Sequence, residues 1–290
     1  ERVRVNGADV SDAALIAAFE KIEAGRGEVS LTYFEFTTLA ALLIFKQAQL
    51  DVLVLEVGLG GRLDAVNIVD ADVAVVTSID LDHQAFLGDT REKIGLENIG
   101  IGRTGMPLVL GERATPALAL DALRALSIPF VQIGRDFDFA QQDNDWRFQG
   151  AGQDHSTLVH AGLPQPVLYV ANAAVALQAL ALSPFSITTE ALKEGLRNAS
   201  LTGRQQIVQQ SPDLMLDVGH NPHAAAHLAR RLRYSPYRRV HCVVGMLRDK
   251  ALADTLAELL CVVDEWYPAT LEGERGQAAA VIAAELQAAG

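Results

Sequence analysis

Apolar positions recur with two different periods along the chain, and each change of period marks an element. Residues 10–25 carry Leu15, Ile16 and Phe19 at helical spacing, with Ser11 placed to cap the start and Gly25 to end the run. Thr32-Tyr33-Phe34-Glu35 has capping-box spacing, in which hydroxyl and carboxylate each satisfy a free N–H. The run that follows through Phe45 is apolar almost all round, which predicts a buried helix. Residues 51–57 (DVLVLEV) form a short β-branched run and predict a central parallel strand covered on both faces. Residues 73–79 predict another and residues 108–110 a third, with a helix over 114–126. Residues 136–170 break the rhythm. They mix Asp, Gln, Gly and aromatics, with alternation at Trp146-Arg147-Phe148, and predict a small antiparallel excursion or a long loop. Helices are expected over 171–182, before Pro184, and over 188–197.

After SLTGRQQIV the alternation restarts. It gives a strand over 214–218, a helix over 222–232, a strand over 240–244, a helix over 252–260 and a strand over 261–264. Strand–helix alternation of this kind predicts an α/β protein. The expected architecture is a doubly wound, mostly parallel sheet domain over 1–202 and a smaller Rossmann-like α/β domain over 203–290, meeting near Thr202-Gly203.

Composition narrows the function. The chain has 290 residues and a net charge of −12, with no basic block beyond the Arg230-Arg231 and Arg238-Arg239 pairs, so a nucleic-acid partner is not expected. An acidic chain still binds anions where backbone N–H groups and single arginines converge. No apolar run has the length of a membrane span, and ERVRVNGADVSD is not a signal peptide. It also lacks an initiator Met and reads as the interior of a longer chain. Cys242 and Cys261 both lie in apolar runs, which predicts buried free thiols in a reducing, cytoplasmic setting.

Three constellations carry candidate chemistry. In parallel α/β sheets ligands bind beyond the carboxyl ends of strands. Glu56 ends the 51–57 run and His83 lies just past the 73–79 run, beside Asp80 and Asp82. If these strands are neighbours, carboxylate and imidazole face one pocket as a divalent-metal pair; two protein ligands suffice for Mg²⁺, which keeps waters and shares substrate phosphates. The plainer alternative is a loop histidine and a carboxylate paired with Arg62. Between them Gly58-Leu59-Gly60-Gly61 is a weak phosphate-binding signal. The second constellation is LDVGHNPHA, residues 216–224. Asn221 and Pro222 are ordinary helix-start residues, but Asp217 and His220 stand where a ribose or base could be held. The third is Gly203-Arg204, an arginine able to reach a phosphate.

TYFEFTTLAALLIF, LEVGLGGRLDAVNIV, TSIDLDHQAFLG, NAAVALQAL, TGRQQIV, LDVGHNPHA and GMLRDK, in that order, resemble the bacterial folylpolyglutamate synthase/dihydrofolate synthase family of the Mur-ligase-like superfamily. The resemblance covers nearly the whole chain. It implies Mg²⁺ at Glu56 and His83, the adenine end of ATP at Asn172 and His220, phosphates at Arg204 and ribose at Asp217, with Arg204, Asp217 and His220 as the catalytic set. It also implies a reaction. A pterin-bound carboxylate attacks the γ-phosphate of ATP to give an acyl phosphate, and the amine of L-glutamate displaces phosphate to form an amide. Dihydropteroate or a reduced folate and L-glutamate are the expected partners of a monomeric enzyme.

Two departures stand out. No Gly-Lys pair occurs, so the family's P-loop is absent from these residues, and the family continues through further sheet beyond WYPATLEGERGQAAAVIAAEL. The 290 residues alone are therefore expected not to turn over ATP. The family's carbamylated lysine, which helps hold a second Mg²⁺, is replaced by Asn98 within Glu97-Asn98-Ile99-Gly100-Ile101. Two alternatives accompany the ligase reading: a non-catalytic remnant with weak nucleotide or folate binding, and a Mur-type ligase acting on a cell-wall precursor.

Overall fold

The computed structural model describes residues 3–80, 87–142, 145–154 and 156–289. The chain folds into two compact units, one of Glu1–Leu163 with Ala174–Leu192 and another of Pro164–Ala173 with Lys193–Gly290. Both units are α/β, with parallel and antiparallel pairings.

The first unit begins with a short antiparallel pair, β1 (Arg4–Val5) and β2 (Ala8–Asp9), and two helices, α1 (Asp12–Arg26) and α2 (Tyr33–Ala48). Ser11 caps α1 by accepting from Ala14 N at 3.3 Å, and α1 runs past Gly25 to stop at Gly27, whose φ of 56° a glycine adopts freely. The capping box at α2 is complete: Glu35 N donates to Thr32 Oγ1 at 3.2 Å and Thr32 N to the Glu35 carboxylate at 2.7 Å. α2 is not buried all round. Ala40 and Ile44 are buried with Val3, Ala18 and Ile22, while Tyr33 is 74% exposed. α1 supplies one covering face, so one stripe of α2 is fully sheltered, while Phe36, Ala41, Leu43 and Phe45 pack against the same cluster only half-buried.

Residues 51–57 depart most from expectation. They belong to no strand, and Val52, Leu53 and Val54 are exposed, the last at 88%. The β-branched run has the propensity for a strand, but a strand also needs a neighbour for its N–H and C=O groups, and none of the described strands pairs with it. The parallel sheet is instead β3 (Ala74–Val76), β4 (Leu108–Leu110) and β5 (Phe130–Gln132), in that order, with Ala74 opposite Leu108 and Leu108 opposite Phe130. Central β4 is fully buried. Helices α3 (Arg91–Ile99) and α4 (Ala117–Ala125) contribute Ile94, Ile99, Ala119 and Leu123 to the core with Ile79.

The antiparallel excursion is a sheet of β6 (Asp138–Gln141), β7 (Asp145–Ala151) and β8 (Thr157–Pro164). Alternation along β7 buries Trp146 and Phe148 on one face. Helix α5 (Val170–Ala181) follows, with Ala174–Ala181 in the first unit, then α6 (Thr189–Asn198). From α5 the fully buried Gln178 clamps one residue of β7: its Oε1 accepts from Ala151 N at 3.1 Å and its Nε2 donates to Ala151 O at 2.8 Å. A Cβ on neighbouring Gly150 would lie 2.4 Å from Gln178 Oε1, so the clamp requires glycine there.

The second unit contains β9 (Gln206–Gln209) antiparallel to β10 (Leu214–Leu216), α7 (Pro222–Arg233), β11 (His241–Val244), α8 (Leu252–Leu259), β12 (Glu265–Pro268) and α9 (Ala279–Ala289). β11 and β12 run parallel, with His241 opposite Glu265. The final strand thus starts four residues after the expected Cys261, because 261–264 form the turn out of α8 and Asp264 accepts from Val240 N at 2.7 Å, closing the ladder's start rather than joining it. Cys261 is accordingly exposed, against expectation, whereas Cys242 on β11 is half-buried and burial pushes its thiol up to about 11. Among the described residues no helix is long and apolar enough to cross a membrane.

Two outcomes follow. Gln178→Leu removes both hydrogen bonds to the half-buried Ala151 backbone, and at about 0.5–1.5 kcal/mol each it should lower the unfolding free energy by about 1–3 kcal/mol in urea titrations. At mildly alkaline pH a maleimide or disulfide reagent should label Cys261 well before Cys242, which peptide mapping resolves; equal rates would contradict the burial of Cys242.

Candidate functional site

The second unit gathers Arg204, Asp217 and His220 onto two short connections, one leading into β9 and one from β10 to α7. Asp217 joins them. Its Oδ2 accepts from Gln205 N at 3.0 Å and its Oδ1 from Gly219 N at 2.7 Å, while Val218 N donates to Gly203 O at 2.8 Å. Gly203 has φ 68°, and a Cβ there would meet Val218 Cγ1 at 2.9 Å, so glycine lets the two connections touch. A second glycine, Gly219, admits the Asp217 carboxylate, since its Cβ would lie 2.7 Å from Oδ1. Asn221 caps α7 by accepting from Ala224 N at 2.9 Å, and Pro222 occupies the first turn, where no N–H is needed.

His220 is exposed, and its Nδ1 sits 3.0 Å from Val218 O. In the neutral ring Nδ1–H donates to that carbonyl, which leaves Nε2 as an acceptor. Asn172, in the first turn of α5, is exposed and belongs to the same compact unit as Arg204, Asp217 and His220.

Sequence reasoning passed over the residues that support this arrangement. Arg231 Nη1 donates to Val167 O at 2.7 Å and to Gln205 Oε1 at 2.9 Å, tying residues 164–173 to the Asp217 brace. Tyr169 packs on His227 with ring centroids 4.2 Å apart. Burial, then the Asp217 carboxylate, raise the Tyr169 phenol above its ordinary value, while a Gln205 hydrogen bond and the Arg204 charge act the other way. Burial, then the charges of His223 and Arg230, push His227 down to about 4, so it is neutral at pH 7. Spacing was the one available signal: His223, His227 and Arg231 recur every four residues along one helix face.

The first unit carries Glu56, which is exposed at the end of the 51–57 run. His83 lies outside the described residues. Arg62 pairs with Glu97 at 2.8 Å rather than with Glu56, which removes the plainer reading of that carboxylate. The glycine loop serves packing. Asp64 Oδ2 accepts from both Gly58 N and Leu59 N at 3.0 Å, so these amides already hold a carboxylate of the chain itself. A Cβ on Gly61 would lie 2.7 Å from Glu97 O. Asn98, oriented by its surroundings, donates its amide to Gly60 O at 3.0 Å and Ile94 O at 3.3 Å. Among the described residues no three His, Cys, Asp or Glu side chains converge as a metal group.

Known proteins resemble this chain in both sequence and structure. Residues 203–290 match the Mur ligase, glutamate ligase domain family. The chain is 50% identical over 280 residues to the dihydrofolate synthase/folylpolyglutamate synthase of Escherichia coli strain K12, covering 96% of this chain and 65% of that protein, so it spans a little under two thirds of that relative's length. It superposes with a TM-score of 0.92 on the structure described as E. coli FolC in complex with DHPP and ADP, at 48% identity, covering 98% of this chain and 68% of the other. It superposes at 0.91 on the Yersinia pestis bifunctional folylpolyglutamate synthase/dihydrofolate synthase complexed with AMPPNP and Mn ion, at 48% identity, covering 99% and 70%.

Asp217→Asn replaces an acceptor of two backbone N–H groups with a group that has one carbonyl oxygen. Without ligand it should cost about 1–3 kcal/mol of stability, read as a lowered thermal midpoint. An unchanged midpoint would show that the brace is not structural.

Proposed function

We propose that this chain, which belongs to the dihydrofolate synthase/folylpolyglutamate synthase family, acts in the ATP-dependent attachment of L-glutamate to dihydropteroate or a reduced folate. The Asp217 brace carries the reading: one carboxylate fixes the turns that bear Arg204 and His220, in a chain half identical to a named synthase. The reaction passes through an acyl phosphate. The pterin acid's carboxylate oxygen attacks the γ-phosphorus as ADP departs, and the glutamate nitrogen then attacks the acyl carbon as phosphate departs. Phosphoryl transfer of this kind depends on positioning and on offsetting charge.

Each side chain has a part in that scheme. Arg204 contacts ATP phosphates through its guanidinium. His220, with Nδ1–H tied to Val218 O, presents Nε2 as an acceptor for an N–H at the adenine end, where Asn172 adds an amide. Asp217 lies near the ribose with both oxygens already engaged, so it acts mainly by holding the two turns in register. The exposed Glu56 carboxylate is the hard oxygen donor that Mg²⁺ favours, and with His83 it would hold the ion that offsets charge on the β- and γ-phosphates. Asn98 brings no charge, and its amide is occupied by Gly60 and Ile94 carbonyls, so metal binding rests on Glu56 and His83. The same reading places the protein in the cytoplasm as a monomer, with small-molecule substrates and neither nucleic acid nor membrane as partner. Identity of 50% and 42% to proteins named dihydrofolate synthase/folylpolyglutamate synthase favours a pterin acid over a cell-wall precursor as the substrate.

In the full-length protein, ADP release should require the pterin acid and Mg²⁺, and amide formation L-glutamate as well. Arg204→Ala should lower kcat/KM for ATP by about 10²-fold, the usual loss when one charge-stabilising donor is removed. Glu56→Ala and His83→Ala should abolish turnover while leaving a cooperative melt. ADP release indifferent to the pterin acid, or full activity in either metal-pair variant, would overturn the corresponding assignment.

A further inference from the structure

Helix α7 carries a second polar pair that the proposed reaction does not use. His223 and His227 stand at i and i+4, so their rings share one face. Their Nε2 atoms are 3.3 Å apart and the ring planes meet at 78°. Two imidazole nitrogens on one tetrahedral zinc, each at about 2.0–2.1 Å, are separated by about 3.3–3.4 Å. The spacing therefore suits a shared ion as well as a shared hydrogen bond. His227 is held in place by Tyr169, whose ring packs against it at a tilt of 34° with centroids 4.2 Å apart, while His223 is exposed and can turn toward an incoming ion. Histidines one helical turn apart are also the arrangement by which a single helix offers zinc two ligands. Arg230 is the neighbouring cation that the site must tolerate.

We propose that His223 and His227 form a binding site for a first-row transition-metal ion, with Zn²⁺ as the ion to test, separate from the Mg²⁺ of the ligase reaction. Imidazole nitrogen selects zinc, copper and nickel, whereas magnesium prefers oxygen, so Mg²⁺ does not compete. Two imidazoles fill two positions of the ion, and water completes its shell. Because the site lies within the second unit and includes no residue assigned to the ligase reaction, it stands or falls independently of that reading.

The test is calorimetric titration of untagged, chelator-washed full-length protein with zinc chloride, in excess Mg²⁺ so that oxygen-rich sites are filled. One equivalent of zinc should bind, and that equivalent should disappear in His223→Ala and in His227→Gln. His223 is exposed, so its variant should keep the parent melting temperature and decides the matter even if the His227 variant is unstable. Zinc binding unchanged in His223→Ala, or zinc displaced by Mg²⁺, would overturn the proposal.

Discussion

Backbone contact between residues 58–62 and the last turn of α3 is the constraint on which the first unit depends. A helix ends with carbonyls that have no partner within it. Here Arg62 N donates to Glu97 O at 3.0 Å, and Arg103 reaches the carbonyls of Gly100, Ile101 and Gly102. The approach is close enough that neither side tolerates a Cβ: at Gly61 it would meet Glu97 O, and at Gly100 it would lie 2.4 Å from Arg62 Cβ. Asn67 closes the junction by donating to Arg62 O and Gly100 O, and Arg103 returns to Asn67 O at 2.7 Å and to the Asp70 carboxylate. Arg62, Asn67 and Arg103 are thus engaged in finishing a helix.

These contacts give the glycine segment a packing role that its composition did not distinguish from phosphate binding. Close backbone approach is what both roles share, and composition alone does not say whether the approaching group is a phosphate or a helix end. Helices α1, α2 and α7 were legible because their signals are local: Ser11, Thr32 with Glu35, and Asn221 with Pro222 each cap the residues beside them, whereas α3 and α9 were not singled out. The parallel β3 and β4 were legible from short apolar runs that the sheet buries, whereas β5, a short run whose residues are only partly apolar, was not anticipated. Residues 51–57 and 261–264 were misjudged because a strand is defined by its partner, and partnership is not encoded within the run itself. The burial of α2 failed for a related reason, since an apolar surface shows a capacity for burial but not the number of neighbours available to cover it.

In the second unit the legible part was Asp217, His220, Asn221 and Pro222, whose order along a strand–turn–helix junction is a local signal. Their support was not. Tyr169 and Arg231 come from distant positions and meet Gln205 and His227 only after folding. Asp217 illustrates a wider point about carboxylates at turns. Its location suggested ligand binding, while its two backbone hydrogen bonds show it first as the fastener of the turns that would receive a ligand.

The exposed run at 51–57 has a colloidal consequence. Val52, Leu53 and Val54 are exposed and, among the described residues, pair with no strand, and β3 is itself a sheet edge among those residues. Such a strip is a template for pairing with another chain, and nothing in DVLVLEV except its two acidic residues opposes it. The net charge of −12 supplies long-range repulsion, but salt screens that repulsion within about 10 Å at 0.1 M ionic strength, while short-range strand pairing is left intact. Rising ionic strength therefore weakens the repulsion that keeps such exposed strips on separate molecules apart before it touches the contacts that hold the fold.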